Sequence, residues 1–154
     1  TATPNFPIQG ITAKYGASTY YEHEKGTDQI KAGVTTSIDA FIQSGDFDIT
    51  AGRGVLTDMG DLRGDGEFIM SVRKFIPDFK VLNGNSKITL LLNNYPSDTA
   101  KSSPLGPFTI TSSTDKVDTR ARGRLLAIKI ENDAVGETWR YGTLRVDIKP
   151  DGRR

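Results

Sequence analysis

Leu125-Leu126-Ala127-Ile128-Lys129-Ile130-Glu131 and, after a turn, Thr143-Leu144-Arg145-Val146-Asp147-Ile148-Lys149 are the stretches whose reading decides the fold. In the second, Leu144, Val146 and Ile148 fall on every other position with polar residues between them, and a two-residue period is that of a strand with one wet face. In the first, Leu126, Ile128 and Ile130 stand against Leu125, Ala127 and Lys129. We therefore expect one strand over Val117–Glu131, a turn at Asn132–Gly136, and a last strand over Thr138–Lys149 ended by Pro150-Asp151-Gly152.

Working toward the N-terminus, the same beat recurs. Lys87–Asn94 sets Ile88, Leu90 and Leu92 on one face. Before it, Asn83-Gly84-Asn85 reads as a hairpin-type turn, because Asn and Gly accept positive φ at little cost. Glu67–Lys80 alternates Phe68, Met70 and Val72 with Ile69, Ser71 and Arg73, and Pro77, lacking a donor, places its end at an edge or turn. Val34–Ile49 reads as one long strand bulged at Gly45, with Ile38, Ala40 and Ile42 opposite Asp39, Phe41 and Gln43. Thr50–Gly66, dense in Gly and Asp, and Tyr95–Gly106, with Pro96 and Pro104, read as exposed loops, and Pro107–Ser112 as a short strand. About seven strands and no helical period predict an all-β fold, an antiparallel β-sandwich or jelly-roll-like domain with long loops. Residues 1–33 read as a linker with short N-terminal strands joining an absent upstream domain, and residues 34–154 as the sandwich; the opening Thr1-Ala2-Thr3-Pro4-Asn5 resembles interior linker.

Composition narrows the chemistry. At 154 residues, 36% of them hydrophobic and 25% charged, the chain has the make-up of a globular domain with one core. It contains no cysteine, which removes disulfides, thiolate nucleophiles and cysteine-ligated zinc. The single histidine, His23, lies between Glu22 and Glu24 without a second imidazole for a zinc site or catalytic pair. A formal charge of +1 gives no bulk attraction to nucleic acid, and we expect no specific nucleic-acid binding. No apolar run reaches the roughly 18 residues of a membrane helix, so no membrane partner is expected either.

Each candidate site has a plainer reading beside it. The Asp-rich stretch Asp46–Glu67 suggests calcium, but in Asp61-Leu62-Arg63-Gly64-Asp65-Gly66 a cation stands where a liganding oxygen is required, and no metal site or cofactor is expected. Arg63-Gly64-Asp65 matches an adhesion tripeptide that arises readily by chance. Arg120, Arg122 and Arg124 alternate, so on one strand their guanidinium groups would share a face; Asp118 and Asp147 could pair with them and leave no ligand site. Arg140 adds to the basic C-terminal part. Trp139 and Tyr141 could form a saccharide platform, the alternative reading, although a half-buried sheet needs such residues for packing. Serines without a histidine base, and carboxylates such as Asp46 and Asp48 on one strand, name no catalytic residue, and we expect no enzyme.

Three stretches also resemble a known family: "AFIQSGDFDI" (40–49), "GDGEFIMSVRKFIPDFK" (64–80) and "RARGRLLAIKIENDAVGETWRYGTLRVDIKPDGRR" (120–154), with "YYEHEKGTD" (20–28) similar to a junction. They look like the C-terminal domain of the large tail, or tail-nozzle, structural proteins of short-tailed bacteriophages. That resemblance implies a virion protein that assembles as a homo-oligomeric ring with other virion proteins. Here "VLTDMGDLRGDGEF" (55–68) is longer than the usual loop. Contacts are expected through the two long loops, with Leu56 and Leu105 as apolar anchors, or through the arginine-bearing strand.

Overall fold

The computed structural model of the chain describes residues 8–12, 18–22, 26–31, 33–49, 68–95 and 103–153. Eleven strands lie among them and no helix: β1 (Ile8–Thr12), β2 (Ser18–Glu22), β3 (Asp28–Lys31), β4 (Val34–Ser37), β5 (Ala40–Gln43), β6 (Phe68–Asn83), β7 (Ser86–Asn93), β8 (Ser103–Ile110), β9 (Val117–Gly123), β10 (Leu125–Asn132) and β11 (Thr138–Arg153). They form a four-stranded sheet in the order β5-β10-β7-β8, a three-stranded sheet in the order β11-β6-β9, and two hairpins, β1-β2 and β3-β4, with every pairing antiparallel. The protein is thus an all-β, open two-sheet sandwich.

Both sheets feed one core, because each turns its apolar alternates inward. Ile88, Leu90 and Leu92 of β7, Ile110 of β8, and Leu126 and Ile130 of β10 meet Met70, Val72 and Phe75 of β6 and Ala121 of β9. Phe75 and Phe108 close the sandwich edge-to-face, with ring centroids 5.5 Å apart, an arrangement that matches ring edge to ring face electrostatically. The periodicity of Leu126/Ile130 and of Ile88/Leu90/Leu92 thus points at the core as expected. Leu125 and Ala127 on the opposite face of β10 are buried too, which alternation alone would have left wet.

Several expected elements divide differently. Val34–Ile49 is two strands in two sheets: β4 pairs with β3, and β5 pairs with β10, while Phe47 makes an isolated bridge to Leu126. Val117–Glu131 is likewise two strands, and the chain crosses from one sheet to the other at Gly123-Arg124. A Cβ on Gly123 would lie 3.1 Å from Leu92 Cδ2, so the corner is tightly packed and a side chain there would require Leu92 to shift by a few tenths of an ångström, and the Arg124 N–H donates to the Asn93 carbonyl at 3.0 Å to hold it. Asn83-Gly84-Asn85 turns the chain with Gly84 at φ 74°, yet it joins strands of different sheets, so it is an inter-sheet arch and not a hairpin. Local turn chemistry specifies the reversal and leaves the partner strand to the core.

Two more boundaries move. The expected loop Tyr95–Gly106 gives way to β8 from Ser103, while residues 96–102 lie outside the described residues. The final strand runs through Pro150 to Arg153, with Pro150 opposite Met70 and a register shift beyond it. β11 is an edge strand, where a residue without a donor is tolerated. Pro77 obeys the same rule: β6 pairs with β9 only as far as Phe75, so beyond that point β6 has β11 on one side and no described strand paired on the other. The β3-β4 hairpin spans the position at which the linker and the sandwich were expected to meet, and the Asp28 carboxylate accepts the Gly136 N–H at 3.0 Å, tying its base to the β10–β11 turn.

Candidate functional site

The arginine-bearing strand builds the most distinctive surface. Along β9, Ala121 is buried while Asp118, Arg120 and Arg122 are exposed, as a period of two requires. On the neighbouring strand Ser71 stands opposite Arg122, and the register shifts between Val72 and Lys74. Arg73 falls in that bulge and is exposed; bulges re-aim side chains in this way. Thr119 Oγ1 donates to the Val72 carbonyl at 3.0 Å and stitches the bulge to β9. Ser71, Arg73, Asp118, Arg120, Arg122 and Asp151 line an open groove of about 580 Å³.

Within the groove Arg122 is fixed: its Nε donates to Asp151 Oδ2 at 2.6 Å and its terminal nitrogen to the Asp151 carbonyl at 3.2 Å. The pairing expected with Asp118 or Asp147 is therefore corrected to Asp151, which the unbroken run of β11 past Pro150 carries alongside. Asp118 pairs instead with Lys116 at 3.3 Å, and Asp78 lies 3.8 Å from Arg145 on the same sheet. Such exposed pairs are each worth about 0–1 kcal/mol, so they orient the guanidinium groups more than they stabilise the fold. Lys149 stands across Ser71 from Arg122 and widens the basic face.

The other expected site residues are scattered. Arg124 lies past the end of β9, at the sheet-to-sheet corner, with its guanidinium 6.0 Å from the centre of the Tyr95 ring. The three alternate arginines therefore do not share one face, because the strand ends between the second and the third. Arg140 is exposed opposite Val81, ten strand positions from the Val81-to-Ser71 end of the ribbon, roughly 30 Å away. Leu105 is not a loop anchor: it lies in β8 opposite Leu90 and packs against the core. Leu56, His23, Arg63-Gly64-Asp65 and the whole stretch Thr50–Gly66 lie outside the described residues.

Trp139 and Tyr141 are half-buried and occupied with packing. Each meets Phe79 edge-to-face, at 6.4 Å and 5.6 Å between centroids, and Trp139 Nε1 donates to Asn132 Oδ1 at 3.0 Å. A stacking platform for a sugar needs an open ring face, and each of these two rings is set edge-to-face against Phe79. Asp46 accepts a bond from Asn93 Nδ2 at 3.2 Å, and Asp48 is buried. Among the described residues no group of three or more His, Asp or Glu is placed to hold a metal ion, and no helix is long and apolar enough to cross a membrane.

Arg73, Lys149 and Asp151 were not singled out from the sequence. The signal for Arg73 was present, since it shares the polar alternates of its strand with Ser71; Asp151 was hidden by the assumption that Pro150 ends the ladder. Comparison of the chain with known protein-family models and with curated protein sequences gives no match.

Proposed function

We propose that the chain is a virion structural module, a tail or tail-nozzle component of a short-tailed bacteriophage that acts through protein–protein contacts in a ring-forming assembly. The resemblance of the 40–49, 64–80 and 120–154 stretches to the ends of such proteins supports the reading. The observation that carries it is the arginine face of β9 and β6. It is an exposed sheet surface on which Arg73, Arg120 and Arg122 line an open groove, and such a surface suits a protein partner with carboxylates better than a small substrate. Of these arginines, Arg122 is already held by Asp151, so part of the ordering cost of docking is met before a partner arrives.

Two experiments test this. Peptides of the chain, and antibody raised against it, should be found on the tails of purified short-tailed particles; particles free of it would overturn the virion assignment. In reconstitution with neighbouring virion proteins, Arg73→Ala with Arg120→Ala should reduce incorporation by about tenfold or more while the melting midpoint stays unchanged. Wild-type incorporation would remove the arginine face from the interface.

A further inference from the structure

Five of the large hydrophobic side chains left exposed fall within one short stretch: Ile30, Val34, Ile38, Phe41 and Ile42. Phe41 is 67% and Ile42 52% exposed, and all four residues of β5 are open to solvent. β5 is an outer strand of the four-stranded sheet, and no described strand pairs with its far edge.

The other outer strands of the two core sheets carry the devices by which proteins prevent strand addition. β8 contains Pro104 and Pro107 and a register shift opposite Ile88/Leu90. β11 contains Pro150 and several bulges, and β9 displays Asp118, Arg120 and Arg122. β5, Ala40-Phe41-Ile42-Gln43, has no proline, no charge and no register shift. Among the described outer strands of the two core sheets, it is the one without such a device.

Its backbone is set to pair. The Ser44 N–H donates to the Ile128 carbonyl at 2.9 Å, and Ile42 stands opposite Ile130. Hydrogen-bonding direction alternates along a strand, so Ala40 and Ile42 bond toward β10, whereas Phe41 and Gln43 turn their N–H and C=O groups to the open edge. An antiparallel partner on a two-fold axis perpendicular to the sheet must keep core-facing residues on the core side. A self-register centred on Phe41 does so: Phe41 faces Phe41 of the second copy, Ala40 faces Ile42, and Gln43 faces Asp39. No like charges oppose one another, a small residue meets a branched one, and two aromatic rings meet, which favours cross-strand pairing.

We infer that β5 is a self-association edge, through which two copies of this chain join antiparallel about Phe41 and run their four-stranded sheets into one. An isologous contact of this kind closes at two copies and leaves the arginine face free for other partners. The inference stands on edge geometry and does not rest on the virion reading; particle incorporation tests that reading and solution mass tests this one.

The test is light scattering and sedimentation of the full chain over a range of concentrations, with two variants. Phe41→Lys places two cations face to face and removes the aromatic pair, and dimerisation should weaken at least about tenfold. Gln43→Pro removes an outward N–H without touching a bond to β10 and leaves the apolar patch intact; it should also yield monomer, whereas mere stickiness of the patch would survive it. The circular dichroism of both variants should match the parent. A parent that is monomeric at millimolar concentration, or a dimer indifferent to both substitutions, overturns the inference, and so does a monomer that binds only a different protein.

Discussion

The strand pair β7–β10 and the strand pair β6–β11 divide the work of this molecule unequally. β6 and β11 are 16 residues each and β7 and β10 only 8, yet the shorter pair holds Ile88, Leu90, Leu126 and Ile130 in the core and buries Ser86, Thr89, Asn93 and Asn132 beside them. The longer pair buries Met70, Val72 and Phe75, all in the first half of β6, and none of the described side chains of β11 is fully buried. Strand length is therefore no measure of stabilisation here. What counts is having neighbours on both edges and an opposing sheet on the inner face, and the outer part of the ribbon has β11 alone. The short pair fixes the fold, and the long pair supplies surface.

Like substitutions in the two regions sharpen this contrast. Leu90→Ala removes a side chain with no exposure at all and should cost about 3–5 kcal/mol, transfer and cavity together. Against a total stability of about 5–15 kcal/mol, that brings the domain near unfolding. Leu144→Ala, half-buried on β11 and packed at the margin of the core, should cost roughly 1–2 kcal/mol. Urea titrations of the two variants give the comparison directly; equal losses would mean that the ribbon is covered in solution. Between these falls Gly142→Ala. A Cβ there would sit 2.8 Å from the Asp78 carbonyl oxygen, inside the irregular register between Tyr141 and Thr143, so backbone must give way, at about 1–3 kcal/mol. The damage should be confined to the outer ribbon, visible as faster amide exchange over residues 76–83 with the β7–β10 amides still protected.

How much of this could be read from the sequence follows the same division. Where one face is wholly apolar, as at Ile88/Leu90/Leu92 or Leu126/Ile130, alternation specifies strand, face and burial together. What alternation does not contain is the partner. The Gly84 turn looks like a hairpin because the local chemistry of a reversal is the same whether the next strand pairs in its own sheet or crosses to the other. The break at Gly123-Arg124 escapes notice because the polar-apolar beat continues across it. Bulges hide for a related reason: Arg73 was visible as a polar alternate, but its place in a groove with Arg120 depends on a register shift that only the paired strand reveals. Arg122 shows the limit in the other direction, since an acidic partner was foreseeable and its identity was not. Arg122→Ala should change stability by less than about 1 kcal/mol, and a double-mutant cycle with Asp151→Ala should give a coupling that shrinks with added salt.

The smallest effects come from two groups, one in each region, whose protons the fold holds. On the ribbon, burial raises the pKa of the Tyr141 hydroxyl, and the Asp78 carboxylate adds to the rise. On β7, the hydrogen bond from Lys87 to Asp133, 2.5 Å long, raises the lysine above its ordinary range, against a smaller opposing pull from desolvation. The sign is the same for both: each folded-state pKa is raised, so its contribution is complete below the unfolded value and is lost as pH climbs through the folded one. Stability should therefore fall on the alkaline side, from about pH 10 upward. Tyr141→Phe keeps the ring against Phe79 and removes the proton, so its melting midpoint should match the parent at neutral pH and decline less steeply above that point. Lys87→Met should flatten the same limb by a different amount, because its group is solvent-exposed and salt weakens its pairing, whereas the tyrosine's burial is indifferent to salt. Repeating the alkaline series at high salt then separates the regions: the lysine's share of the slope should vanish and the tyrosine's should persist. If the slope of Tyr141→Phe equals the parent's, the hydroxyl is solvated and the aromatic end of the ribbon is more open than its packing against Phe79 and Trp139 indicates.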